Sequence, residues 1–314
     1  MTPPFTKGLH QVGADVWAWL APDGSWGFSN AGLIAGKDST LLVDTLFDLA
    51  LTREMLAAMS AITDARPITD LVNTHANGDH CFGNELLDTA VHIHAASEAI
   101  HEMHEVTPQM LSQQVTMELG PTLTPFIRRA FGQFRFDDIT LRVPDTTING
   151  PTSIDVGGRP VQVLPLGPAH TAGDVAVWVP DASVLFAGDL LFIGGSPIMW
   201  AGPTAGWVAA CDAMLDLNPA VVVPGHGPVT DSSGIHEVRD YLIHVGHAVR
   251  EGVDAGKTWQ QTATEIDLGP FASLPDAERI AVTVYQEFRS LQPETPPADT
   301  IELFTAMAEW AGAH

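Results

Sequence analysis

Cysteine is scarce: Cys81 and Cys211 are the only two in 314 residues. That excludes a disulfide framework and points to a reducing, cytoplasmic setting. Positive charge is scarce as well, with 14 Lys and Arg against 38 Asp and Glu and a net charge of -24. Such a field repels phosphate backbones and anionic headgroups, so nucleic acid and membrane are excluded as expected partners. The adjacent basic pair Arg128-Arg129 is too small to reverse this, and the surplus acid reads as a solvated surface. No apolar run approaches the ~18 residues that a bilayer span needs. The start, Met1-Thr-Pro-Pro-Phe-Thr-Lys7, lacks a basic stretch followed by an apolar one, so no export signal is expected. Internal repeats and low-complexity tracts are missing too. What remains is a globular chain, 45% hydrophobic, whose expected partner is a small-molecule substrate.

The first half alternates strand-like and helix-like segments. Residues 12–20 and 32–35 read as strands around a turn at Pro22-Asp23-Gly24, and 40–44 as a short buried strand ending in Asp44. Helical spacing over 49–61 places Leu51, Met55 and Met59 on one face. Strands follow at 68–73 and 91–94. Residues 97–136, rich in Met, Gln and Phe and broken by Pro108, Gly120, Pro121 and Pro125, read as an inserted helical cap. Strands return at 159–166, 175–179, 184–187 and 221–223, with a helix at 207–217. Beyond Ser232 the pattern is helical. Ser273-Leu-Pro-Asp276 resembles a helix-starting box, followed by Ile280, Val284 and Phe288. A Pro-rich linker at 293–297 leads to a short amphipathic helix carrying Ile301, Phe304 and Trp310. The expected architecture is α/β: residues 1–235 as a layered catalytic domain containing the cap, and 236–314 as a helical extension that packs on the domain or forms a homodimer contact.

Thirteen histidines are many for this length. The informative set is His75, Asp79, His80, His170, Asp189 and His226, because each lies just after a strand-like run. Ligands at strand ends gather along one edge of a sheet, where α/β proteins place their sites. Imidazoles and carboxylates together suit zinc, iron or manganese without a cysteine.

These residues fall in His75-x-Asn77-x-Asp79-His80, His170-Thr-Ala-Gly-Asp174, Gly188-Asp189 and Pro224-Gly-His226, with Leu41-Leu-Val-Asp44-Thr45 upstream. In this order they resemble the metallo-β-lactamase superfamily over about residues 10–235. The resemblance implies a four-layer αβ/βα sandwich. It also implies one metal site on His75, Asn77 and His170, a second on Asp79, His80 and His226, and Asp189 bridging them. A bridging aspartate is similar to glyoxalase-II-like and lactonase-like members. The β-lactamases themselves usually carry cysteine there.

Asn77 departs from the family's second histidine, and an amide oxygen is a weaker, neutral ligand. Three arrangements follow. Asn77 ligates weakly or through water in a two-metal site; or one ion sits on Asp79, His80, Asp189 and His226; or His75, His170 and Asp189 alone hold Fe(II), as in the persulfide dioxygenase branch. The complete second site favours hydrolysis of a lactone, thioester or ester by one or two Zn2+ ions. There Asp79 orients the nucleophile and passes a proton to the leaving group. The runner-up is a mononuclear iron oxygenase, and a metal-binding protein without turnover is a third reading. Asp44 and Asp174 are expected either to orient ligands or to serve the fold.

Trp26 and Phe28 lie where the family often carries a flap, and Met199 and Trp200 follow Asp189. Two readings stand for these four: lining of an apolar substrate pocket for a hydrophobic acyl group or ring, or ordinary core packing. His92 and His94 share one strand face and His101 and His104 one helix face; packing or solvent exposure is the expectation for these, and for His244 and His247. Cys81 is expected to pack.

Overall fold

Strands that alternate side chains between two faces need a partner for each apolar face, and here the partners are a second sheet and an outer layer of helices. The computed structural model describes residues 2–22 and 25–313. In chain order, β1 (Gly8–Gly13), β2 (Val16–Leu20), β3 (Ala31–Ala35) and β4 (Thr40–Val43) are antiparallel neighbours. Helix α1 (Leu49–Thr63), capped by Asp48, leads to β5 (Ile68–Val72), parallel to β4. The four-residue helix α2 (Gly78–Cys81) precedes β6 (His92–Ala96). Helices α3 (Ser97–Glu102), α4 (Pro108–Thr116) and α5 (Leu123–Phe131) form the cap before β7 (Thr146–Ile148) completes the first sheet in the order β1 to β7. The second sheet uses β8 (Thr152–Val156), β9 (Arg159–Pro165), β10 (Val175–Val179), β11 (Val184–Phe192) and β12 (Val221–His226), with α6 (Thr204–Asp216) between the parallel β11 and β12. Helices α7 (Ser232–Asp254), α8 (Trp259–Glu265), α9 (Ile280–Leu291) and α10 (Thr300–Ala313) form the C-terminal extension.

The period of two sorts the core. Ile34, Leu41, Val43 and Val72 of the first sheet join Val161, Val163, Val177 and Phe186 of the second in one buried core. Leu33, Leu42, Leu71 and Ile93, on the opposite face, pack with Met55 and Met59 of α1. Each such fully buried side chain contributes about 1.5–3 kcal/mol relative to exposure. The sheets pack tightly at Gly32, where an added methyl would overlap the Phe186 ring. Among the described residues no helix is long and apolar enough to cross a membrane.

Two local expectations are corrected. The single strand expected over 12–20 is a hairpin, in which Gly13 pairs with Val16 around Ala14-Asp15 and Asp15 takes a φ of 54°. Ser273-Leu-Pro-Asp276 is not a capping box. Asp276 adopts a φ of 56° and makes no capping bond; its carboxylate instead accepts from the Ser25 hydroxyl and pairs with Arg279. Asp23 and Gly24 of the expected turn lie outside the described residues.

Candidate metal centre

The ends of strands from both sheets deliver the polar groups. The stretch after β5 supplies His75, and α2 supplies Asp79 and His80. The loop after β9 supplies His170, β11 carries Asp189, and β12 ends in His226. All six are buried. Asp189 sits in the middle: its Oδ2 is 3.7 Å from His75 Nε2, 3.4 Å from His170 Nε2 and 3.4 Å from His226 Nε2, and its Oδ1 is 3.1 Å from His80 Nε2. Asp79 Oδ2 is 3.3 Å from His226 Nε2 and 3.8 Å from His80 Nε2.

Every imidazole is oriented by its outward nitrogen. His80 Nδ1 donates to Asp44 Oδ2 at 2.9 Å, His170 Nδ1 to the Ile198 carbonyl at 2.6 Å, and His226 Nδ1 to the Phe28 carbonyl at 3.0 Å. Thr74 donates its hydroxyl to Asp44 at 2.8 Å, so Thr74 Oγ1 accepts from His75 Nδ1 at 3.0 Å. With their Nδ1 atoms bonded outward, all four imidazoles turn Nε2 toward the centre. Asp44, at a φ of 62°, also accepts the Thr74 backbone N–H at 2.7 Å. Asp174 acts one step further out: it accepts the N–H and hydroxyl of Thr171, both at 2.8 Å, and so fixes the loop that carries His170.

This donor set fits a cation. His75 Nε2, His80 Nε2, His170 Nε2 and Asp189 Oδ1 are buried without a hydrogen-bond partner, which is costly unless something positive sits among them. Two triads, His75/His80/Asp189 and Asp79/His80/His226, have ligand atoms within 4.8 Å of one another. The electrostatics agree. Burial opposes charge on Asp189, yet His226, His80 and His75 hold its carboxyl well below the usual range. Burial likewise opposes charge on His226, but Asp189 and Asp79 raise it to about 9. Burial and the neighbouring His80 push His75 well down, keeping it neutral and a competent ligand.

Asn77 begins α2 in an extended conformation, makes no capping bond with its side chain, and lines the cavity beside the ligands. That cavity encloses about 440 Å³ and includes Asp79, Asp189, His170 and His226 in its wall. Trp26 and Trp200 line it as expected from their positions. Phe28 and Met199 do not. Phe28 turns its ring to Phe134, 5.1 Å between centroids, and borders a separate outer pocket, offering the centre only its carbonyl. Met199 is fully buried, its sulfur occupying the space that a side chain at Gly202 would need. His92, His101, His104 and His247 are exposed, His94 bonds Asp70 at 2.8 Å, and His244 bonds the Asp267 carbonyl. Cys81 is buried.

Four residues of the site had escaped sequence reasoning. Asn30 donates to the carbonyls of Pro224 and Gly227, at 3.0 and 2.8 Å, and braces the turn that holds His226. Thr74 orients His75. Arg279 and Phe304 bring the C-terminal extension into the cavity wall. For Asn30, Arg279 and Phe304 no local signal exists, because their partners are far away in sequence; Thr74 could have been found by its place between Asn73 and His75.

The family model described as the Metallo-beta-lactamase superfamily matches residues 24–226. The chain is 28% identical over 115 residues to the beta-lactamase-like protein 2 homolog of Caenorhabditis elegans, spanning 36% of this chain and only 38% of that protein. It is 26% identical over 212 residues to the human acyl-coenzyme A thioesterase MBLAC2, covering 63% of this chain and 72% of the relative. Among solved structures, the stereoselective inverting sec-alkylsulfatase of Pseudomonas sp. superposes with a TM-score of 0.69 at 16% identity, over 93% of this chain and 52% of that one. A metallo-beta-lactamase from Pontibacter korlensis gives a TM-score of 0.57 at 20% identity, over 76% and 99%.

Proposed function

The chain belongs to the metallo-beta-lactamase superfamily, and from that premise we propose that it is a metal-dependent hydrolase cleaving a lactone, thioester or ester with water. The observation that carries this reading is the convergence of Asp79, His80 and His226 from two sheets upon Asp189 in the wall of a cavity. Asn77, Asp79, His75, His80, His170, Asp189 and His226 would hold one or two ions. Zinc is favoured by the mixture of imidazole nitrogen and carboxylate oxygen. When bound, a divalent cation polarises a carbonyl and acidifies water. The rest falls to the chain. Asp79 accepts a hydrogen bond from the attacking water, takes its proton and returns it to the leaving oxygen or sulfur. The outward Nδ1 bonds keep all four imidazoles in the tautomer that offers a lone pair to the centre. Two buried thiols suit a reducing, cytoplasmic setting.

A second reading is supported by one observation: Asp189 Oδ2 faces both His75 and His170, a two-histidine, one-carboxylate set of the non-haem iron type. Metal content separates the two. Protein purified without added metal should contain zinc at one to two ions per chain by mass spectrometry. Asn77→His, which restores an imidazole, should move the value toward two. Hydrolysis of an ester panel should vanish on chelation and return with zinc. One iron per chain with no zinc, together with oxygen consumption, would establish the oxygenase reading instead.

A further inference from the structure

The C-terminal extension contributes no group to the metal centre, yet it forms part of the cavity wall. Phe304 of α10 is the hub. Its ring centroid lies 6.0 Å from Trp26, 5.6 Å from Phe131 of the cap, 6.3 Å from Phe126 and 5.9 Å from Trp200. Four separate segments therefore meet on one aromatic surface.

Acidic side chains outnumber basic ones around it. Among the described residues lining the cavity, Arg279 is the one Lys or Arg, and its charge is already engaged. It pairs with Asp276 at 3.3 Å, donates to the Ser196 carbonyl at 3.1 Å, and lies 4.6 Å over the Trp26 ring and 5.4 Å over the Phe192 ring. Arg279 Nε is buried without a partner. Glu102, Glu105 and Asp299 add negative charge to the wall beyond the ligands. Away from the residues that would hold the ions, an anionic group entering this space meets carboxylates and a net charge of -24. An uncharged apolar group meets rings whose burial rewards it.

Resting on the hydrolase reading, we infer that the part of the substrate not being cleaved is uncharged and apolar, a compact ring or branched alkyl group, and that Phe304 sets its size. A polyanionic substrate is selected against. The cavity of about 440 Å³ falls at the small end of ligand pockets.

The test uses two fluorescent probes with one aromatic frame: uncharged N-phenyl-1-naphthylamine and its sulfonated analogue 8-anilinonaphthalene-1-sulfonate. Both are titrated into the metal-loaded wild type, Phe304→Ala and Phe304→Leu, with metal content and circular dichroism confirming that each variant is folded. The uncharged probe should bind the wild type more tightly than the sulfonate. Phe304→Ala should weaken it by about tenfold, with Phe304→Leu in between. On p-nitrophenyl esters of increasing acyl length, Phe304→Ala should move the optimum of kcat/KM to longer chains. Tighter binding of the sulfonate would show that the cavity accepts anions and overturn the inference, as would probe affinities indifferent to residue 304. If no ester is cleaved but the uncharged probe still responds to Phe304, the hydrolase reading fails and the apolar wall stands.

Discussion

A Gly225→Ala variant is expected to lose most of its metal and at least ~10²-fold in kcat/KM, the scale of a misplaced catalytic group. The backbone at Gly225 is not in the left-handed region, so alanine brings no torsional penalty. The objection is space. A Cβ there would overlap Asp189 Oδ1 and press on the backbone of Gly188 and Asp189. Nothing flexible can yield, because Asp189 is 4% exposed and surrounded by four imidazoles. Gly225 itself is held by its carbonyl, which accepts from Asn30 N–H at 2.7 Å. Overpacking of this kind costs about 1–3 kcal/mol, so the melting temperature should fall by several degrees as well. Metal content and thermal unfolding read the two effects separately. An alanine protein with wild-type zinc and wild-type kcat/KM would show that the position of Asp189 does not matter.

The second large effect is expected at Asp44. Its carboxylate accepts three buried donors: Thr74 N–H, the Thr74 hydroxyl and His80 Nδ1. Asp44→Ala strands all three, each at about 1–3 kcal/mol, and frees two imidazoles to rotate, since Thr74 in turn orients His75. Metal affinity should drop by about 10–100-fold, the usual result of removing a ligand's orienting partner. Alanine also carries a backbone penalty of roughly 1–2 kcal/mol at a φ of 62°, a region that aspartate and asparagine tolerate better. Asp44→Asn therefore isolates the chemistry. One amide oxygen cannot serve donors spread over both carboxylate oxygens, and its NH2 confronts another donor. Competition with a fluorescent chelator should rank affinities wild type, then asparagine, then alanine. An asparagine variant equal to wild type would mean that the carboxylate is not what aims His80.

The convergence of the candidate residues was legible because each lies beyond an apolar run whose length and β-branched content fix a strand end. The sheet edge then gathers what local sequence has already placed. Elsewhere the local signal was absent or misleading. The hairpin inside 12–20 turns through Ala14-Asp15, without the Asn-Gly or Asp-Gly pair that announces such turns, so alternation seemed unbroken. Adjacency in sequence also says little about direction. Phe28 and Met199 sit beside pocket residues, yet one faces an outer pocket and the other the core. Phe304 was readable as part of an amphipathic helix, but amphipathicity names only a buried face, not what that face meets. Asn30 is a buried amide whose partners lie 194 and 197 residues away, and no window along the chain contains both.

The six charged and imidazole groups of the centre are divided evenly: His75, Asp79 and His80 hang from the first sheet, and His170, Asp189 and His226 from the second. The spacing of the two halves is therefore a property of the interface between sheets, where Gly32 meets Phe186. A lineage could retune which ion the centre prefers, or how widely it grips a reacting group, without touching a ligand, by altering the bulk of side chains buried along that seam. Selection on such inconspicuous apolar positions would leave every recognisable motif intact, so relatives with identical motifs need not share a metal or a substrate.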